Sequence, residues 1–249
     1  ANREKLGGHD GSNIFRNIDF NSSNLGDAKD KSTRLRNLLN DFKSLDLSQS
    51  HLENNDVIGG AYEFLIANFA SDSGKKAGEF FTPAEVSTLL AKITKSAPGS
   101  RIYDPTCGSG GMLIESAHYI AKNGGMIGEY VDCTLKGQEK NLGTWAVCKI
   151  NMIVHNFKDS DIRKGDTLGS PKHIINGELE TFDRVIANPP FSLSNWWEAA
   201  EVDIKNDAKG NPITPKYNDL VSDEYGRFKY GIPPRSYGDL AFLQHMLSV

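Results

Sequence analysis

No stretch of this chain approaches the roughly 20 consecutive apolar residues that a membrane-crossing helix needs. The polar start ANREKLGGHDGSN also lacks the apolar middle of a secretion signal. The expected location is therefore the cytoplasm, with no membrane partner. Cysteine is scarce: there are three, Cys107, Cys133 and Cys148, an odd number with no CxxC spacing. That excludes a disulfide framework and a structural zinc site and leaves reduced thiols as the expectation. The six histidines form no HExxH, and no HxE precedes a PCxxC, which removes zinc proteases and zinc-dependent base deaminases. No metal is expected at the reaction centre. Nor is positive charge in excess, because the net charge is −4. A protein that grips nucleic acid by bulk electrostatics carries the opposite balance, so if DNA is the substrate another chain supplies much of the hold.

What is present is an ordinary globular composition: 249 residues, 38% of them hydrophobic, enough for a full-size core in one or two domains. Residues 1 to about 30 are rich in Gly, Asn, Asp and Ser and read as a loop or disordered lead-in. In STRLRNLLNDFKSL the apolar positions Leu35, Leu38, Leu39, Phe42 and Leu45 then fall on one helical stripe, read as a packing face. A second helix is expected over DVIGGAYEFLIANFA, capped by Asp56 and burying Val57, Ala61, Phe64, Leu65 and Phe69. These two make a helical N-terminal module over residues 1–75, closed by the Gly- and Lys-bearing loop SDSGKKAGEFFTP. The next helix carries a full start signal. Thr82 is placed to cap, Pro83 stands at the first helical position, Glu85 completes the capping box, and Val86, Leu89, Leu90 and Ile93 form the stripe expected to be buried.

From residue 100 the chain alternates strand and helix. RIYDP, YVDCTLKGQE, DIRKGDTL and TFDRVIANPP read as strands, while GGMLIESAHYIAK and NLGTWAVCKINMIVHN read as helices. Such alternation predicts an α/β fold, a doubly wound parallel sheet with helices on both faces, over residues 76–249. Ligands bind beyond the carboxyl ends of the strands in these sheets, so the segments after each strand are the place to look.

Four such segments stand out. DPTCGSGG, Asp104 to Gly111, offers glycines for a sharp turn and the free amides of a helix start. It is not a Walker loop, since no Lys-Ser or Lys-Thr follows, nor does it have the six-residue dinucleotide spacing. In GQEKN, Glu139 can accept hydrogen bonds from two adjacent ribose hydroxyls. In KGDTL, Asp166 can accept from an adenine amino group, with Leu168 flanking the ring. The fourth segment, DRVIANPPFSLSNWW, leaves its strand through an amide side chain, two prolines and an aromatic ring. Proline cannot donate to a sheet ladder, so Pro189 and Pro190 end the strand and stiffen the chain after Asn188. An exocyclic aromatic amine is a poor nucleophile because its lone pair is delocalised into the ring. Two rigid acceptors, the Asn188 amide oxygen and the Pro189 carbonyl, would localise that pair and aim it, while Phe191 stacks on the base.

GEFFTP, DPTCGSGG, GQE, GDTL and NPPF stand in the order found in gamma-type adenine-N6 DNA methyltransferases, and the chain from about residue 56 to 249 closely resembles the modification subunit of type I restriction-modification systems. The resemblance implies a Rossmann-like class I methyltransferase sheet preceded by a helical N-terminal module. It also implies S-adenosyl-L-methionine as cofactor, lying across the strand ends. Glu79, Phe80, Phe81 and Thr82 would face its methionine end, as would Asp104, Thr106, Gly108, Ser109 and Gly110. Glu139 would hold the ribose, and Asp166, Thr167 and Leu168 the adenine. Asn188, Pro189, Pro190 and Phe191 would receive an adenine flipped out of duplex DNA. The implied partners are duplex DNA, a DNA-specificity subunit and a restriction subunit. A family sheet has seven strands, whereas this chain reaches the helix DLAFLQHML after the fourth, so the sheet is expected to be unfinished, in a piece of a longer protein.

Between Ser192 and Gly238 the chain ends in RFKYGIPPRSYGD, where Arg227, Lys229 and Arg235 with Phe228 and Tyr230 suit a segment that meets DNA backbone or a solvated loop. Trp196 and Trp197 are expected to pack this segment onto the body. Three other readings stay open. Asn-Pro-Pro-aromatic also suits methylation of another planar nitrogen, such as a protein glutamine amide. A catalytically idle scaffold and a nicotinamide enzyme are the others, the last left with no task for NPPF.

Overall fold

The computed structural model describes residues 19–45, 57–72, 81–197 and 221–249. Three helices come first: α1 (Ala28–Lys43), α2 (Val57–Asp72) and α3 (Ala84–Thr94). Then β1 (Ser100–Asp104), α4 (Gly111–Lys122), β4 (Cys133–Glu139), α5 (Leu142–Val154), β5 (Asp161–Lys164) and β8 (Arg184–Val185) build the body, with α6 (Asp239–Met246) after it. Two hairpins, β2 (Met126–Ile127) with β3 (Tyr130–Val131) and β6 (Ile174–Ile175) with β7 (Glu178–Leu179), interrupt the connections.

The main sheet is parallel throughout in the order β5-β4-β1-β8. The chain winds outward from β1 through β4 to β5 and returns to β8 on the other side of β1. That reversal is a topological switch point, the place where such sheets open a crevice beyond their carboxyl ends. Side chains on β1 alternate between the two faces. Ile102 joins the core under α4 and α5, with Leu113, Ile114, Trp145 and Ile162. Tyr103 points to the other face, where its ring stacks on Phe182 and meets His245 edge-on. Trp145 donates its indole N–H to the Ile162 carbonyl at 3.0 Å, so α5 is fixed to β5 by a hydrogen bond as well as by packing. Asn141 caps α5, accepting from the amides of Gly143 and Thr144 at 2.8 and 3.1 Å. A second core, Leu168, Trp196, Ala241 and Phe242, seats the segment after β8 and α6 on the sheet. Trp196 is buried and donates to the Pro234 carbonyl at 2.9 Å, in keeping with its expected packing role, and Trp197 meets it edge-on.

The N-terminal helices depart from their expected phases. No residue of α1 is buried, and Leu38, Leu39, Phe42 and Leu45 are all exposed, so its stripe is not a packing face among the described residues. On α2 the inward positions are Gly59 and Ile66, whereas Val57, Ala61, Phe64 and Leu65 are exposed. Gly59 is inward because a Cβ there would meet the His155 ring at 2.6 Å. In α3 the buried residues are Ser87 and Ala91, with Leu90 beside the core; Val86, Leu89 and Ile93 are exposed. Small side chains on the inward face let α3 lie close against α4, and closeness, not apolar bulk, selects the face. Nor does Thr82 cap α3: Pro83 stands at the N-cap without any side-chain hydrogen bond, and its carbonyl takes the amides of Val86 and Ser87. The lead-in over residues 1–18, the Asp56 cap, the Phe69 side chain, and Glu79 and Phe80 lie outside the described residues.

Candidate active site

The carboxyl ends of four parallel strands bring four side chains to one edge of the sheet: Asp166 after β5, Glu139 at the end of β4, Asp104 at the end of β1, and Asn188 after β8. A cavity of about 800 Å³ opens there. Thr106, Glu139, Asp166, Thr167, Asn188 and Pro190 line it, so it joins six of the residues singled out from sequence. Lys140, Asn141, Thr144, Leu193 and Phe242 line it too. No local pattern marks these five; folding alone carries Phe242 of α6 to the same wall as Asn188.

The turn after β1 is set by glycines. Gly108 and Gly110 have φ of 54° and 87°, and a Cβ on Gly110 would lie 2.6 Å from Met152 Cε and 2.8 Å from Cys148 Sγ. Only glycine meets both demands without strain. Ser109 is buried, its carbonyl accepting from Asn151 Nδ2 at 3.0 Å. Glu139 closes over this turn. One carboxylate oxygen accepts from the Gly108 amide at 3.1 Å and the other from the Asn141 amide at 2.7 Å. Burial raises its pKa against those amides. Each oxygen keeps a lone pair for a ligand.

Asp104 lies beneath the turn, wholly buried. Its Oδ1 accepts from the Thr106 amide at 2.9 Å, while Oδ2 is buried with no hydrogen-bond partner among the described residues. Burial above all, aided by the charge of Glu139, pushes its pKa up to about 8. A buried carboxyl oxygen without a donor is costly unless something with protons or positive charge meets it. Asp166 is committed differently. Its Oδ1 takes the amides of Leu168 and Gly169 at 3.0 and 3.3 Å, and its Oδ2 takes the Lys140 ammonium at 2.6 Å.

Asn188 donates its side-chain N–H to the hydroxyl of Thr82 at 3.2 Å. That contact explains why Thr82 is not a helix cap. Asn188 also lines the cavity, so one residue joins Thr82 to it. Phe191, by contrast, is 77% exposed. The turn that presents it is held by Ser192, whose φ is 55° and whose amide donates to both carboxylate oxygens of Asp239 at 3.2 Å. Phe81 and Thr82 line a smaller cavity of about 250 Å³ between α2, α3 and the start of α4.

The side chains of Leu168 and Arg227, both assigned to ligand contact, are committed to the protein interior. Leu168 is wholly buried in the second core, so only its backbone can serve a ligand, and its side chain does not flank a ring. Arg227, grouped above with residues that meet DNA backbone, is 1% exposed and bonded entirely within the protein. Lys229, Tyr230 and Arg235 of the same segment are exposed.

The model of the family described as N-6 DNA Methylase matches residues 53–249. The chain is 34% identical over 245 residues to the type I restriction enzyme MpnII methylase subunit of Mycoplasma pneumoniae, covering 95% of this chain and 41% of that protein. It is 36% identical over 216 residues to the MjaVII methylase subunit of Methanocaldococcus jannaschii, covering 86% of this chain and 33% of the relative. Among solved structures, the methyltransferase subunit of a type I restriction-modification system from Streptococcus thermophilus superposes with a TM-score of 0.72 at 30% identity, covering 96% of this chain and 45% of that one. The chain thus spans less than half the length of these relatives.

Proposed function

Since the chain belongs to the N-6 DNA methylase family, we propose that the site transfers a methyl group from S-adenosyl-L-methionine to the N6 amine of an adenine extruded from duplex DNA, within the modification subunit of a type I system. The observation that carries this reading is Asn188: an amide oxygen held as an acceptor by the Thr82 contact, behind a rigid Pro-Pro step, in one cavity with Glu139 and Asp166.

The residues fit the cofactor. An orphaned buried Asp104 oxygen suits a ligand whose amino acid end carries an ammonium and whose sulfur is cationic. Glu139 would hold the ribose hydroxyls and Asp166 the adenine amine, and the cavity volume falls in the range of small-molecule sites. Bound there, S-adenosylmethionine supplies a methyl group already activated on a sulfonium. The protein's own task is orientation. Asn188 and the Pro189 carbonyl accept hydrogen bonds from the two amine N–H groups, which draws the nitrogen lone pair out of conjugation and points it at the methyl; as the N–C bond forms the S–C bond breaks, leaving a neutral thioether, and the nitrogen releases one proton to water. Phe191, on its exposed turn, offers a face to a base that has left the stack; unstacking costs a few kcal/mol and base–aromatic contact returns ~1–3 kcal/mol. Excluding water from the cleft strengthens every one of these contacts.

The named relatives are methylase subunits of type I restriction enzymes, which supports specificity and restriction subunits as partners here. The net charge of −4 agrees with a DNA grip shared with another chain. The test is Asn188→Ala. Labelled methyl transfer to DNA, read after digestion to nucleosides and with the co-purified partner present, falls to background while calorimetric cofactor affinity stays within about twofold. Methyl label appearing on a glutamine amide instead of on adenosine, or an equal loss of cofactor affinity in the variant, would overturn the assignment.

A further inference from the structure

Arg227 occupies the interior with more hydrogen bonds than a structural ion pair requires. Its Nε and Nη2 meet Asp223 Oδ1 at 2.9 and 2.8 Å, which satisfies the charge. The remaining donors go elsewhere. Nη1 donates to the Thr167 carbonyl at 2.9 Å and Nη2 to the Leu168 carbonyl at 2.6 Å. Nη1 also lies 3.3 Å from His245 Nδ1 on α6. An arginine has no acceptor to offer, so that imidazole nitrogen accepts.

The two carbonyls belong to two successive peptide units, 167–168 and 168–169. The N–H groups of those same two units are the ones that bind Asp166 Oδ1, at 3.0 Å from Leu168 and 3.3 Å from Gly169. Each peptide unit is therefore gripped at both ends, its oxygen by the guanidinium and its N–H by the Asp166 carboxylate. Hydrogen bonds in such a chain polarise one another, and the planar fork fixes the tilt of both units together. With Oδ1 so anchored, the direction of Oδ2, which meets the Lys140 ammonium at 2.6 Å among the cavity-lining residues, is set. Thr167 extends the link by donating its hydroxyl to the Pro105 carbonyl, next to Asp104.

We infer that Arg227 is a positioning residue for the cofactor's adenine: through two peptide units it aims the Asp166 carboxylate and so sets the site's selectivity for a 6-amino purine. Asp223 and Arg227 lie in the segment leading to α6, the helix that brings Phe242 to the cavity, while Thr167 and Leu168 belong to the adenine loop. The guanidinium thus joins the base-receiving half of the cleft to the cofactor half. This inference rests on the cofactor reading given above.

The two are separated by measuring, in the full chain, the affinities of S-adenosylhomocysteine and of its deaminated analogue S-inosylhomocysteine. One charge-assisted hydrogen bond to Asp166 gives the unaltered protein a preference of about tenfold to a hundredfold for the amino form. Arg227→Lys keeps the charge against Asp223 but cannot fork across two carbonyls. In that variant the preference falls to about threefold or less while the inosyl ligand binds within about twofold of its original affinity. Arg227→Met is expected to show the same collapse. A merely structural role weakens both ligands together and leaves the ratio intact in either variant, which overturns the inference. If the unaltered protein itself shows no preference, the adenine assignment of Asp166 fails, and the role of Arg227 with it.

Discussion

Replace Asp104 by asparagine, and near pH 8 stability and binding should move in opposite directions. The side chain is wholly buried at the end of β1, with its Oδ1 on the Thr106 amide and its Oδ2 without a donor. Its folded pKa of about 8 exceeds the ordinary 3.8. The folded state therefore keeps a proton that the unfolded state releases, and the stability present at pH 4 is lost as the pH rises toward 8. The slope from this group is about 1.4 kcal/mol per pH unit, so the full loss is on the order of 5 kcal/mol. Asparagine is nearly isosteric and keeps the Thr106 contact, but its amide leaves one more N–H unpaired than the protonated carboxyl does, at a cost of about 1–3 kcal/mol. Asp104→Asn is thus expected to destabilise by about 1–3 kcal/mol at pH 4 and to stabilise by a few kcal/mol at pH 8, with the sign changing between. Urea unfolding across that range reads the difference. The same variant should bind S-adenosylmethionine at least about tenfold more weakly, having lost the carboxylate proposed to meet the ligand's positive charge. In the unaltered protein, binding at neutral pH should release a proton, seen as a dependence of calorimetric heat on the buffer's ionisation enthalpy. A stability difference that is flat with pH, or an asparagine variant with undiminished affinity, refutes the reasoning.

Two further perturbations probe neighbouring parts of the site. Gly110→Ala combines a φ of 87° with a Cβ 2.6 Å from Met152 Cε and 2.8 Å from Cys148 Sγ, and should cost about 2–4 kcal/mol in urea unfolding; a loss under about 1 kcal/mol shows that the turn relaxes freely. Phe191→Ala removes a side chain that is 77% exposed, so unfolding free energy should shift by no more than about 0.5 kcal/mol. Its kcat/KM for DNA methylation should nonetheless fall by about fivefold to a hundredfold, and an unchanged value removes the stacking role.

The body of the fold was legible because its signals are local and repeated. Strand runs ending in DPTCGSGG, GQE, KGDTL and NPPF gave a parallel sheet and the edge on which Asp104, Glu139, Asp166 and Asn188 meet. What escaped was the choice of helix face. On α2 apolar residues surround the axis, so periodicity cannot select Gly59 and Ile66 over Phe64 and Leu65. On α3 the inward face is Ser87 and Ala91, and the spacing to α4 selects it, which no window of sequence contains. Asn176-Gly177, with φ of 55° and 85°, is by contrast a local turn signal and turns the β6–β7 hairpin.

The remaining discrepancies share a cause. Thr82 matched a capping box, yet its hydroxyl takes the Asn188 amide, 106 positions along the chain. Leu168 matched a ring-flanking residue, yet its side chain fills the second core and its two backbone groups are held by Asp166 and Arg227. Arg227 matched a phosphate contact by charge, yet it is buried against its own fold. Each was assigned a partner by residue type and local spacing, and each found a partner at long range instead. Residue type states what a side chain can bind; only the folded chain decides what stands within 3 Å or so of it. At this cleft the consequence is specific. On the proposed reading, the groups that would meet base and cofactor, Asn188 and Asp166, are visible in the sequence, and the groups that would aim them, Thr82 and Arg227, carry no local mark of that task.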